Sequence, residues 1–200
     1  MRKPRRKAEE TREEILRTAD ALFRERGIAK SSIADIALEL GMSPANVFKH
    51  FHSKTVLVDA ICDRHITRMV DRFDTLDTSA PAPEKLGIVV HRLMQAHLQD
   101  ISENPFFLEI VFLVARTELE SGFHYRRLIE QLFFNLISEG VAAGIYHCND
   151  CRTVSRHVAA SFASVLHPVF LAQEARGELD ERLNGIVALI NAALQSPLAK

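Results

Sequence analysis

Two hundred residues, 47% hydrophobic and 26% charged with three cysteines, are enough to bury a real core but exclude a disulfide framework, and the lack of an apolar run after the first basic residues excludes a signal peptide. The most apolar stretch, 157–172, is too short for a bilayer and contains two histidines and Pro168, so no membrane partner is expected and a reducing cytoplasm is the expected setting. The net charge of −1 divides into +4 over residues 1–55 (12 Lys+Arg against 8 Asp+Glu) and −5 over residues 56–200 (13 against 18), with Arg2, Lys3, Arg5, Arg6 and Lys7 ahead of the first acid at Glu9, so one end is suited to a polyanion, nucleic acid foremost.

In chain order, residues 11–26 read as a helix, with Thr11 as cap, Glu14 completing a capping box, and Ile15, Leu16, Ala19, Leu22 and Phe23 on one apolar face. Gly27 stops it. A shorter helix follows from about Ile33 to Leu40, capped by Ser32 with Asp35 three residues on, its inward positions Ile33, Ile36, Ala37 and Leu40. Gly41 breaks it, and Ser43-Pro44 starts a third helix of about Pro44 to His50 by the rule of a cap followed by proline. Ser53 caps a fourth helix that continues to roughly Phe73, and residues 75–84 form the clearest linker. Beyond it the periodicity predicts helices at about 84–102, 105–120, 123–144, 152–175 and 179–195, punctuated by Asn104-Pro105, Ser121-Gly122, Gly144 and Gly177. No alternating strand pattern persists, so the expected class is all-α.

Two short helices meeting at a glycine match the helix-turn-helix plan. Val47 and Phe51, four apart, face inward from the second of them, which leaves Pro44, Ala45, Asn46, Lys49 and His50 nearer the outer face. A small helix of that kind suits a major groove, where N-terminal residues reach base edges.

Residues 11–57 resemble the DNA-binding domain of the tetracycline-repressor (TetR) family. The resemblance is carried by Thr11-Arg12-Glu13-Glu14-Ile15-Leu16, Ala19, Leu22-Phe23, Gly27, Asp35-Ile36-Ala37, Leu40-Gly41-Met42-Ser43, Val47-Phe48-Lys49-His50-Phe51, Ser53-Lys54 and Leu57. It covers about a quarter of the chain; beyond it, helix count, length and the Glu139-Gly140 to Gly144-Ile145 segment are similar to the family. It implies a ligand-responsive transcriptional regulator, not an enzyme, that binds double-stranded DNA as a homodimer. Its N-terminal three-helix reading domain would span residues 1–55, with 1–10 as a basic arm, and a larger helical ligand-binding and dimerisation domain would span 56–200. It places Ala45 and Asn46 at bases with Pro44 and Lys49 beside them. It places His50 and Lys54 near the DNA backbone, Ser43 among the DNA-binding residues, and Ser31 and Ser32 at a helix N-terminus facing phosphate. Phe48 stands where the family usually has a tyrosine that contacts phosphate, and phenylalanine cannot donate that hydrogen bond. The basic arm is suited to an adjacent minor groove.

The last two helices are the expected dimer interface, through Phe162, Leu166, Val169, Phe170, Leu183, Ile186, Val187 and Ile190, and Pro168 is expected to kink the longer one. The middle helices are expected to enclose a hydrophobic or aromatic effector, lined by His91, Met94, His97, Phe107, Phe112, Phe133 and Phe162. The fourth helix would transmit the effector's presence through Leu57, Ile61 and Ile66, relieving repression. His147, Cys148, Cys151 and His157 have zinc-ligand spacing but no second cluster, and Cys148 with Cys151 also reads as a redox pair; no metal and no cofactor are expected. No phosphate loop, nucleophile elbow or His-Glu-x-x-His helix is present.

Overall fold

The computed structural model describes residues 8–74 and 79–196. The basic arm at 2–7 and part of the 75–84 linker lie outside those residues. Among those described, all regular structure is helical: α1 (Ala8–Arg26), α2 (Ile33–Glu39), α3 (Pro44–His50), α4 (Lys54–Asp74), α5 (Ala82–Glu103), α6 (Phe107–Thr117), α7 (Glu120–Ala142), α8 (Cys151–Ser161), α9 (Ala163–Leu166), α10 (Pro168–Leu171) and α11 (Arg176–Gln195). They form two compact units, residues 8–67 with 104–122 and residues 68–103 with 123–196.

In the first unit the predicted face of α1, Ile15, Leu16, Ala19, Leu22 and Phe23, is buried against Ile33, Ile36 and Ala37 of α2, Val47 of α3, Phe51, and Leu57, Val58 and Ile61 of α4. Helix α6 adds Ile110, Leu113 and Val114 to this core, so the unit is larger than a boundary at residue 55 allows. Helix α1 begins at Ala8, three residues before the expected cap, so Thr11 lies inside it. Gly27 does end it, with φ +82, and a Cβ there would meet the Phe106 ring at 2.9 Å.

The second unit packs α5, α7 and α8 to α11 around Leu86, Val90, Leu93, Met94, Phe133, Ile137, Phe162, Val165 and Leu179. The helix expected over 152–175 is three shorter ones. His167 takes an extended backbone ahead of Pro168, whose ring disfavours helix in the preceding residue and which has no N–H to give. The chain also breaks at Phe162. Ser121 and Gly122, expected to interrupt the chain, lie within the first turn of α7, because the Asp59 carboxylate accepts the Ser121 N–H at 2.9 Å and holds that turn. The break comes instead at Glu118, in the left-handed region at φ 49. Gly177 likewise falls in the first turn of α11.

Three residues expected at a dimer interface are interior to the chain. Phe162 is fully buried and stacks on Phe133 with centroids 5.5 Å apart, and Leu166 and Leu183 belong to the same core. An all-apolar pattern cannot say which side of a helix meets its own chain. Phe162→Ala should therefore lower the unfolding free energy by about 3–5 kcal/mol, the usual cost of emptying a buried aromatic site, measured by urea unfolding; a loss under 1 kcal/mol would place Phe162 outside the core.

Candidate nucleic-acid interface and effector site

The α2–α3 pair is fixed by local chemistry. Ser32 and Asp35 form a reciprocal capping box: the Asp35 N–H donates to Ser32 Oγ at 3.2 Å and the Ser32 N–H to Asp35 Oδ2 at 2.8 Å. The Ser32 hydroxyl and then the Ser32 N–H, both donating to Asp35 Oδ2, hold the Asp35 carboxyl below its ordinary range. Gly41 then turns the chain at φ +61 with open space where a Cβ would stand, so backbone conformation alone requires glycine. The Met42 N–H closes the turn onto Ala37 O at 2.9 Å, and Ala37, Val47 and Phe51 are wholly buried beneath it. Above Phe51 the Arg12 guanidinium sits 4.6 Å from the ring centroid.

The opposite side of α3 is open. Ser43, Pro44, Ala45, Phe48 and Lys49 are exposed, and Asn46 and His50 are half-buried. Ser43 caps by backbone geometry only, and its hydroxyl makes no cap hydrogen bond. The Asn46 amide makes one weak contact, to Met42 Sδ at 3.5 Å. Phe48 is 44% exposed, so it is not a core residue.

Ser31 departs from the expected phosphate contact: it is buried, and its hydroxyl donates to Gly27 O at 2.8 Å. The Ser32 hydroxyl donates to Asp35 Oδ2 at 2.6 Å, so it too is engaged within the chain. The Lys54 ammonium donates to Ile28 O at 2.8 Å and Ser31 O at 3.0 Å. Glu109 of α6, not singled out in the sequence, accepts the N–H groups of Ile28 at 3.1 Å and Ala29 at 2.7 Å. Eighty residues of separation leave no sequence signal for that bond.

The residues expected to line one effector cavity do not gather. His91 is exposed, 3.9 Å from Asp180. Phe107 and Phe112 belong to the first unit, where Phe112, Val58, Lys54, Glu109 and Arg116 line an open groove of about 600 Å³. Met94, Phe133 and Phe162 do share the buried cluster of the second unit, where His97 is also buried. His97 Nε2 and Tyr125 Oη are 2.8 Å apart, and among the described residues the buried His97 Nδ1 has no hydrogen-bond partner. Tyr125 is one of several aromatics between residues 106 and 134. Burial, with a lesser contribution from His167, lowers the His97 pKa to about 4, and burial raises that of Tyr125, so both are neutral near pH 7. Among the described residues no helix is long and apolar enough to cross a membrane, and no three His, Cys, Asp or Glu gather to hold a metal.

Two family models match the chain. Residues 15–61 match the bacterial regulatory proteins of the tetR family, and residues 82–187 match the tetracyclin repressor-like C-terminal domain. The chain belongs to the TetR family. It is a helix-turn-helix transcriptional regulator. The uncharacterised regulator YerO of Bacillus subtilis is 23% identical over 94% of this chain and 68% of its own length. The probable regulator ArpR of Pseudomonas putida is 34% identical over 38% of this chain and 40% of its own length. The crystal structure of RolR in complex with resorcinol superposes with TM-score 0.65 at 16% identity, covering 93% of this TetR-family chain and 88% of RolR.

Two outcomes are expected. Lys54→Met should destabilise the protein by about 2–4 kcal/mol, because two charge-assisted bonds to carbonyls are lost; an unchanged thermal midpoint would contradict that role. The unfolded chain takes up a proton at His97 below pH 6.5, while the folded chain does so only near 4. His97 therefore removes stability as pH falls through that window, about 2 kcal/mol of it between pH 7 and 5. Urea unfolding of His97→Gln should show a pH dependence shallower by that amount, and identical slopes would contradict it.

Proposed function

We propose that this regulator is a repressor that binds a palindromic operator as a homodimer and is released when a small hydrophobic or aromatic molecule enters the second unit. The observation that carries the reading is the open face of α3 above a buried, glycine-closed turn: Asn46 and Ala45 are presented for base edges, with Pro44, Lys49 and His50 beside them. Ser43 and the Lys54 ammonium serve the phosphates; Lys54 has three N–H donors and uses two on carbonyls. Phe48 packs against sugar or a thymine methyl in place of a phosphate bond.

Pairing of two copies is supported by the apolar surface that the second unit leaves uncovered. Phe170 is 47% exposed and Leu189 72% exposed. Val169, Ile186, Val187 and Ile190 are half-buried along the same two helices, α10 and α11. The effector proposal rests on His97 and Tyr125. A neutral, buried imidazole beside Tyr125, with Nδ1 unpartnered among the described residues and in the same unit as Met94, Phe133 and Phe162, suits a flat apolar molecule carrying a hydroxyl. That RolR was solved with resorcinol is in keeping with such a ligand. Linkage requires the effector to bind more tightly to the free form than to the DNA-bound form, and α4, one helix from Lys54 to Asp74, is the proposed transmitter.

Selection of bound fragments from random duplex DNA by the purified protein should enrich an inverted repeat. An enriched site without two-fold symmetry would contradict the dimer reading. On the enriched site Asn46→Ala should cost about 1–3 kcal/mol at one base position; equal losses on all sequences would show that it touches backbone only.

A further inference from the structure

Outside the proposed interface and effector site, a pair of reactive groups stands in contact. Cys148 Sγ and Cys151 Sγ are 2.8 Å apart, both half-buried, in a Cys-Asn-Asp-Cys segment that leads into α8. A disulfide needs about 2.05 Å between sulfurs, so closure asks for a movement of under an ångström. Cys151 is the first residue of α8. The Asp150 carboxylate takes the next two N–H groups, of Arg152 at 3.1 Å and Thr153 at 3.0 Å, and so fixes the start of the helix. Burial, the contact with Cys151 and the charge of Asp150 push the Cys148 thiol up to about 12. Cys148 therefore keeps its proton near pH 7, and the first attack is assigned to Cys151. The third cysteine, Cys62, is buried in the other unit and pushed up to about 12 by burial and Asp59, which makes it inert.

We infer that Cys148 and Cys151 are a site of reversible two-electron oxidation, closing to an intramolecular disulfide on exposure to a hydroperoxide. The Cys151 thiolate attacks the peroxide oxygen, breaking the O–O bond to give a sulfenic acid and, after protonation, one water (one alcohol if the peroxide is organic). Cys148 sulfur then attacks the Cys151 sulfur, the S–O bond breaks, and a second water leaves with the Cys148 proton. The sulfurs lose two electrons together and the peroxide gains them.

The segment so closed also anchors α11. The His147 N–H donates to Leu194 O at 2.7 Å, and Tyr146 Oη donates to Asn191 Oδ1 at 2.6 Å. Oxidation should therefore slow amide exchange at His147.

The site stands independently of the DNA and effector readings. Its test treats the purified full-length chain with excess hydrogen peroxide and counts thiols after denaturation. They should fall from three to one and return to three with dithiothreitol. Trypsin releases residues 128–152 as one peptide holding both cysteines, and it should be lighter by two hydrogens. In Cys148→Ser, dimedone should label Cys151; Cys151→Ser should keep its two thiols under the same treatment. Three thiols surviving in the wild type, a disulfide found only between chains, or a peptide heavier by oxygen atoms would each overturn the proposal.

Discussion

The turn between α1 and α2 is the point on which the reading head depends. Residues 27–31 leave their helix with polar backbone groups that water would otherwise have to serve. Side chains from distant parts of the chain take them instead. Glu109 accepts the N–H groups of Ile28 and Ala29, Lys54 donates to the carbonyls of Ile28 and Ser31, and Ser31 donates to the carbonyl of Gly27. Gly27 allows the left-handed backbone that starts the turn and the approach of Phe106. An acid from α6 and a base from α4 thus hold one short segment, and α2 begins directly after it. The orientation of α2, and with it of α3, follows from that clamp.

The same clamp explains why some sequence expectations about DNA contacts were displaced. Ser31 and Ser32 are polar residues around a helix start, a setting in which phosphate contacts are common. Here Ser31 serves the turn, and Ser32 serves the capping box with Asp35. Polar type and position do not tell an internal bond from an external one when the partner lies far along the chain. The outer face of α3 was easier to read, since Val47 and Phe51 fix its inner side at a spacing of four, and the cap, the proline and Gly41 fix its ends.

Legibility fell with distance from such local rules. Helices α2, α3 and α4 follow from Ser32, Gly41, Pro44 and Ser53, each acting within a few residues. The second unit offers fewer of them. Its apolar residues outnumber its caps, so one long helix was as consistent with 152–175 as the three that form, and Phe162, Leu166 and Leu183 could not be assigned to core or surface. His97 illustrates the remaining gap. Its place on α5 was foreseeable, but its partner Tyr125 on α7 and the unpartnered Nδ1 are tertiary facts. His91, six residues earlier on the same helix, points to solvent. In a TetR-family regulator that difference separates a candidate effector anchor from an ordinary surface histidine.

The central claim is that α3 of two paired chains reads duplex DNA. It is tested most directly by sedimentation of the purified protein alone and with a labelled duplex at rising salt. The account predicts a dimer that binds the duplex two chains at a time, with log affinity falling linearly as log salt rises. A monomer that leaves the duplex unbound at low ionic strength would contradict it.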